Sequence, residues 1–216
     1  MAHPLLGPSG DHASLILASA SPRRLSLLAQ IGIVPDAVLA SEIDESPLPR
    51  EKPRAHAIRL AHEKAEAARK LRQDQSPAYL LAADTVVGVG ARILPKAETE
   101  AQARACLALL TGRGHRVFTA ICLITPEGAH KSRCVETRVT FKPLSQAETE
   151  AYIASGEWRG KAGGYAIQGL AAAFVTKLVG SFSSVVGLPL AETANLLAGS
   201  GYQVIQRWPT AQSSSS

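Results

Sequence analysis

The chain has 216 residues, 46% hydrophobic and 19% charged, enough to bury a full core as one large α/β domain or as two closely packed lobes. No apolar run is long enough to cross a bilayer, and Met1 to Asp11 lacks the basic start and apolar centre of a signal peptide, so a soluble cytoplasmic protein is expected. The formal charge of +5 and a pI near 9.3 raise the possibility of a nucleic-acid partner, but the basic residues form no long run and are not interleaved with aromatics, and a basic pocket for a small polyphosphate fits the charge equally well, so a nucleic-acid partner is not expected.

The first dozen residues and the tail from Thr210 to Ser216 are polar or small, and both are expected to be disordered. Between them, an apolar strand at Ser14–Ala18 stops at Ser19-Ala20-Ser21-Pro22-Arg23-Arg24. There Ser21 suits an N-cap, Pro22 suits the first helical position, and Leu25, Leu27 and Leu28 start the apolar face of a helix over Pro22–Ile31. A strand at Asp36–Leu39 and a Pro-rich loop over Ser46–Pro53 follow. The long helix Pro53–Arg72 places Ala57, Ala61, Ala65 and Ala68 at helical spacing. Tyr79–Ala83 and Val86–Val89 read as apolar strands on either side of Asp84, and Glu98–Leu110 as a helix. The β-branched runs His115–Thr125 and Lys131–Lys142, joined by Pro126-Glu127-Gly128, predict an antiparallel hairpin. A helix at Gln146–Ala154, a Gly-rich loop, a strand at Phe174–Val179 and a helix at Pro189–Leu197 complete the order; Ser181–Leu190 reads as a strand and turn leading into that last helix. Strands and helices alternating around a hairpin imply α/β architecture with a mixed sheet covered by helices.

Several residues could carry chemistry, each with a structural alternative. Free amides at the start of the first helix, the Ser19 and Ser21 hydroxyls and the Arg23 and Arg24 guanidinium groups could converge on a phosphate, or the arginines could simply face water. Asp84, inside an apolar segment, is either a structural acceptor or a ligand for Mg²⁺. The acidic run at residues 42–45 is a solvated loop unless it folds over the anion site, in which case Glu45 could share a metal with Asp84. Lys64 and Lys96 ordinarily read as solvent-facing, although Lys96 lies between a strand and a helix, within reach of a phosphate. In the Gly-rich segment Lys161–Gly169, Gln168 could read a base edge or brace the loop. No GxxxxGK[ST] and no GxGxxG is present. Cys106, Cys122 and Cys134 are odd in number and expected to be reduced, the six histidines are scattered, and no zinc site is expected.

In this order and spacing, Ser19–Arg24, Asp44-Glu45, Leu60–Ala65, Ala83-Asp84-Thr85, Lys96, Lys161–Gly169 and Val185–Leu190 resemble the Maf family of nucleoside triphosphate pyrophosphatases, from Leu15 to about Leu197. The resemblance implies a Maf/ITPase-like fold: a mixed twisted sheet flanked by helices, in two lobes with a central cleft, here as a single catalytic domain over residues 14–209. It implies hydrolysis between the α and β phosphates with a divalent cation, Mg²⁺ or Mn²⁺, and commonly a homodimer. In the family the aspartate matching Asp84 is assigned as the general base and Glu45 matches an acidic position of the same site. An aspartate holding a metal could also act by lowering the pKa of the ion's water. Ser19, Arg24, Lys64 and Lys96 match positions that neutralise the triphosphate. Arginine, threonine and glutamine at Arg23, Thr85 and Gln168 resemble the branch acting on dTTP and UTP, whereas tryptophan, glutamine and glutamate there mark the 7-methyl-GTP branch. The family's usual Gly-Lys-Pro is here Pro95-Lys96-Ala97, and Ala171-Ala172-Ala173 stands where glycine is common. Outside the expected pyrimidine reading stand a 7-methyl-GTP pyrophosphatase on the same scaffold and a regulator that binds nucleotides or nucleic acid without turnover.

Overall fold

The computed structural model describes residues 13–40, 42–73 and 76–208, so the expectations for residues 1–12 and 210–216 lie outside the described residues. Everything is arranged around one long strand, β3 (Ala78–Val89). β1 (Ser14–Ala18) pairs with it in parallel from Ser14 opposite Ala78 to Ala18 opposite Ala82. On the other edge β6 (Gly114–Ile124) runs antiparallel, from Leu80 opposite Ile124 to Gly88 opposite Arg116. β2 (Ala37–Val38) extends the sheet beyond β1, while β7 (His130–Phe141) and β9 (Val175–Val179) extend it beyond β6. The expected hairpin joins β6 to β7, and Gly128 takes the positive φ of 83° that its turn requires.

Alternation along β3 splits the core into two layers. Leu80, Ala82 and Val86 face α2 (Pro53–Leu71), whose Ala57, Ala61, Ala65 and Ala68 are fully buried. A stripe of methyl groups lets the helix axis approach the sheet closely. Leu81, Ala83 and Val87 face the opposite layer, shared with Leu27 and Leu28 of α1 (Pro22–Gln30), Leu107 of α3 (Glu100–Leu110) and Tyr152 of α4 (Gln146–Ser155). The result is a mixed seven-stranded sheet with helices on both faces.

Two local expectations need correction. Asp84 does not divide two strands, because the ladder with β6 runs unbroken through Asp84 opposite Ala120. Backbone pairing is indifferent to a buried carboxylate once that carboxylate has a cation. Residues 181–190 do not begin with a strand: Phe182–Val186 forms a short helix, α5, because the Ser181 hydroxyl caps the Ser184 amide at 3.1 Å, and Gly187 ends it at a φ of 143°. Ala171–Ala173 lie in a 3-10 turn, Leu170–Phe174, that leads directly into β9.

Small paired segments shape the far end of the sheet. β4 (Arg92–Leu94) folds back on Val87–Val89, and β5 (Lys96–Ala97) pairs with β8 (Lys161–Ala162). β3 therefore loses its β1 neighbour at Ala82 and gains β4 only at Val87. Between them residues 83–86 have no strand on that edge among the described residues, and a cleft opens between a β1 lobe and a β4–β5–β8 lobe.

The loop before α2 is tied to that helix. Glu51 accepts from Arg59 Nε at 2.8 Å, lies 2.8 Å from His56 Nδ1, and accepts the Leu48 amide at 3.0 Å. The Arg59 guanidinium above all holds the Glu51 carboxyl down at about 2, from the usual 4.5. A depressed carboxylate contributes stability that is fully present above its unfolded pKa and is lost as pH falls through the folded one. The wild-type chain is therefore expected to lose stability as pH drops from about 4.5 to about 2, and Glu51→Gln to lower stability at pH 7 while flattening that dependence, as read by denaturant titration across the acid range.

Candidate active site

The cleft encloses about 540 Å³, within the roughly 300–1,000 Å³ usual for small-ligand sites. The nine residues to which the family resemblance assigns site roles all line it: Ser19, Arg23, Arg24, Glu45, Lys64, Asp84, Thr85, Lys96 and Gln168.

At its base, Asp84 is 2% exposed and Lys64 of α2 reaches it with Nζ–Oδ1 at 2.5 Å. The helix thus supplies the cation that an isolated buried carboxylate needs. The same ammonium lies 2.7 Å from Glu45 Oε1, so the acidic loop does fold over the site; Lys96 of β5 closes on the other Glu45 oxygen. Arg59 holds this loop through the Ser46 carbonyl at 2.9 Å. Burial pushes the Glu45 carboxyl up, but the hydrogen bonds from Lys64 and Lys96 outweigh it and leave the group at about 2. Asp44, by contrast, is exposed and accepts the Ser46 amide.

On the β1 side, Arg24 is buried. Its Nε donates to the Gly187 carbonyl at 2.9 Å and its Nη1 to Ser19 Oγ at 3.0 Å. Burial pulls its pKa down, and the fields of Asp84 and Glu45 oppose that. Ser21 occupies the N-cap position of α1 but its side chain caps nothing. Ser19 Oγ instead accepts the Ser21 amide at 3.2 Å, a correction to the expected cap. Arg23 is half-buried, its Nε has no partner among the described residues, and burial lowers its pKa as well.

Thr85 belongs to a defined relay. Thr119 Oγ1 gives its single proton to the Ser184 carbonyl at 2.6 Å, so at the 3.1 Å contact between the two threonines Thr85 must be the donor. That leaves the Thr85 oxygen as an acceptor. Gln168 is exposed at the rim, with no hydrogen bond to the described residues.

Two cations in the cleft were given no role of their own in the sequence reading. Arg159 and Lys161 line the cleft from the β8 lobe. Lys161 opened the Gly-rich segment and was legible there, but Arg159, 4.5 Å above the Trp158 ring, follows no pattern that distinguishes it from a surface arginine. The lining thus sets six cations, Arg23, Arg24, Lys64, Lys96, Arg159 and Lys161, against two carboxylates. Such a surplus, around a loop-to-helix transition, suits a polyanionic ligand.

The Maf-like protein family profile matches residues 14–200, most of the chain. The chain belongs to the Maf family. A relative from Mesorhizobium japonicum, named dTTP/UTP pyrophosphatase, is 60% identical over 201 residues, covering 92% of this chain and 97% of its own. One of the same name from Maricaulis maris is 61% identical over 203 residues, covering 94% and 96%. A third, from Rhodopseudomonas palustris, is 58% identical over 197 residues, covering 90% and 95%. A solved nucleoside-triphosphatase, titled dITP/XTP pyrophosphatase, from Mycobacterium abscessus aligns with 60% of this chain and 74% of its own at 19% identity and a TM-score of 0.35.

One further grouping in this Maf chain departs from the sequence reading. The scattered histidines and cysteines do not all remain apart, since His62, Cys122 and His130 meet with their ligand atoms within 4.8 Å of one another. They lie among α2, β6 and β7, and none of the three lines the cleft.

Because Lys64 bridges both carboxylates, Lys64→Ala is expected to raise the Glu45 pKa above its present value of about 2 while Lys96 still lowers it, measured by carboxyl ¹³C NMR titration. A Glu45 pKa unchanged in the variant would show that Lys96 alone holds the charge.

Proposed function

We propose that this Maf protein hydrolyses dTTP and UTP, and modified pyrimidine triphosphates of the same shape, to the monophosphate and pyrophosphate. The observation that carries the reading is the convergence of the Asp84–Lys64–Glu45 group with a surplus of cations in one cleft. The names of relatives about 60% identical over nearly the full chain point to the same substrates.

Ser19, Arg24, Lys64 and Lys96 bind and neutralise the triphosphate. Asp84, with one oxygen on Lys64, uses the other to orient a water against the α phosphorus and accept its proton as general base. The water oxygen bonds to the α phosphorus, the bond from it to the α–β bridging oxygen breaks, and pyrophosphate leaves with the electron pair. Fixed positive charge around the phosphates stabilises the loose transition state of this transfer. Glu45 and Asp84, two hard carboxylates already converging on one cationic centre, fit Mg²⁺ or Mn²⁺. Such an ion, when bound, supplies further charge neutralisation and a more acidic water.

Base choice rests on Arg23, Thr85 and Gln168. Gln168 offers a donor and an acceptor together, matching a pyrimidine carbonyl and N3–H, and Thr85 adds an acceptor. Residues 14–209 act as one catalytic domain. A cytoplasmic setting suits the three free cysteines and a nucleotide substrate. A homodimer, carried over from the family resemblance, is checked by sedimentation.

The test is pyrophosphate release from dTTP, UTP, CTP, GTP, ATP and 7-methyl-GTP with Mg²⁺ or Mn²⁺. Turnover is expected for dTTP and UTP, with Asp84→Asn lowering kcat by about 10²–10⁴-fold. Gln168→Glu is expected to raise KM for both pyrimidine substrates at least tenfold. Preference for 7-methyl-GTP would overturn the roles of Arg23, Thr85 and Gln168, and binding without turnover of any nucleotide would overturn the enzymatic reading.

A further inference from the structure

On the α2 face of the sheet, three side chains with affinity for soft or borderline metals come together from three separate elements. His62 projects from α2, Cys122 from β6 and His130 from the first position of β7. Cys122 is fully buried, His62 half-buried and His130 exposed, so the group has a closed end and an open one. The Cys122 Sγ–His62 Nδ1 separation is 3.6 Å. Tetrahedral Zn²⁺, with a Zn–S bond of about 2.3 Å and a Zn–N bond of about 2.0 Å, sets such a pair about 3.5 Å apart.

The surroundings add a second feature of metal sites. Glu66, one helical turn beyond His62, places Oε1 2.9 Å from His130 Nε2, and Arg69 secures the other Glu66 oxygen at 2.8 Å. A carboxylate braced against a histidine orients the ring and raises its basicity toward a cation.

We propose that His62, Cys122 and His130 bind a borderline divalent ion of the Zn²⁺ class, with a fourth position open to solvent. Thiolate and imidazole donors select such an ion over Mg²⁺ or Mn²⁺, which belong with the Glu45–Asp84 oxygens. As the ion binds, the Cys122 S–H bond breaks, the proton passes to water and the S–metal bond forms, without oxidation or reduction. The ion ties α2 to the β6–β7 hairpin. His62 is two residues from Lys64, so the tie secures the helix that delivers Lys64 to Asp84.

Co²⁺ titration of the metal-free full chain in saturating Mg²⁺ tests this. One equivalent of Co²⁺ is expected to produce a near-ultraviolet thiolate-to-cobalt band and to raise Tm. Cys122→Ser is expected to abolish the band, whereas Cys106→Ser, Cys134→Ser and Asp84→Asn keep it. His130→Ala, at an exposed position, is expected to leave the metal-free Tm unchanged and weaken Co²⁺ binding at least tenfold. Absence of the band at one equivalent, its persistence in Cys122→Ser, or a loss below tenfold in His130→Ala overturns the proposal.

Discussion

Asp84 stands in the middle of the central strand with 2% of its surface exposed, and its charge there depends on a cation arriving from another element. Lys64 arrives from α2, 20 residues earlier in the chain, at 2.5 Å. The placement requires α2 to lie close to the sheet, which its buried alanine stripe allows, and requires β3 to run straight past the end of β1. Breaking one partner of such a buried pair costs about 3–5 kcal/mol, because the other charge is stranded rather than because the pair is strongly stabilising. Its value to the protein is positional: Lys64 also takes one oxygen of Glu45, so a single ammonium joins the helix, the central strand and the acidic loop.

The rest of the cleft is built around that junction. Arg24 spans from the β1 exit to the carbonyl of Gly187 at the end of α5, which links residues 163 positions apart. Lys96 and Lys161 are brought in by the β5–β8 pairing, with Gly163 donating to the Pro95 carbonyl at 3.0 Å. The unusual Pro95-Lys96-Ala97 sequence therefore still delivers its lysine to Glu45, because backbone pairing rather than the flanking side chains sets the path of the segment. Gly163 takes a positive φ of 67° against Val87, so a side chain there would collide with β3.

Local signals explain what could be read in advance. The Ser-Ala-Ser-Pro-Arg-Arg break marked the end of β1 and the start of α1, and period-2 and period-3.6 patterns located the hairpin and α2. Other features had no local signal. Lys64 sits in an ordinary charged helical face and is indistinguishable by spacing from a solvated lysine. The Ser181 cap that makes α5 helical competes with a Val-Val pair that favours strand, and only the cap geometry decides it. His62 and Cys122 are 60 residues apart and fit no ligand-spacing rule.

By itself the sequence determined most of the element types, though not the α5 helix or the unbroken β3, together with the family resemblance and the residues able to meet a polyphosphate, because helix caps, apolar periodicity and charge are local properties of neighbouring residues. The tertiary structure alone decided which charges share a partner: that Glu45 folds onto Lys64 and Lys96, that Thr85 donates to Thr119, that Arg159 faces the cleft and that His62, Cys122 and His130 meet. Each of these depends on the distance between elements far apart in the chain, and that distance is set by sheet register and helix packing rather than by the residues nearby.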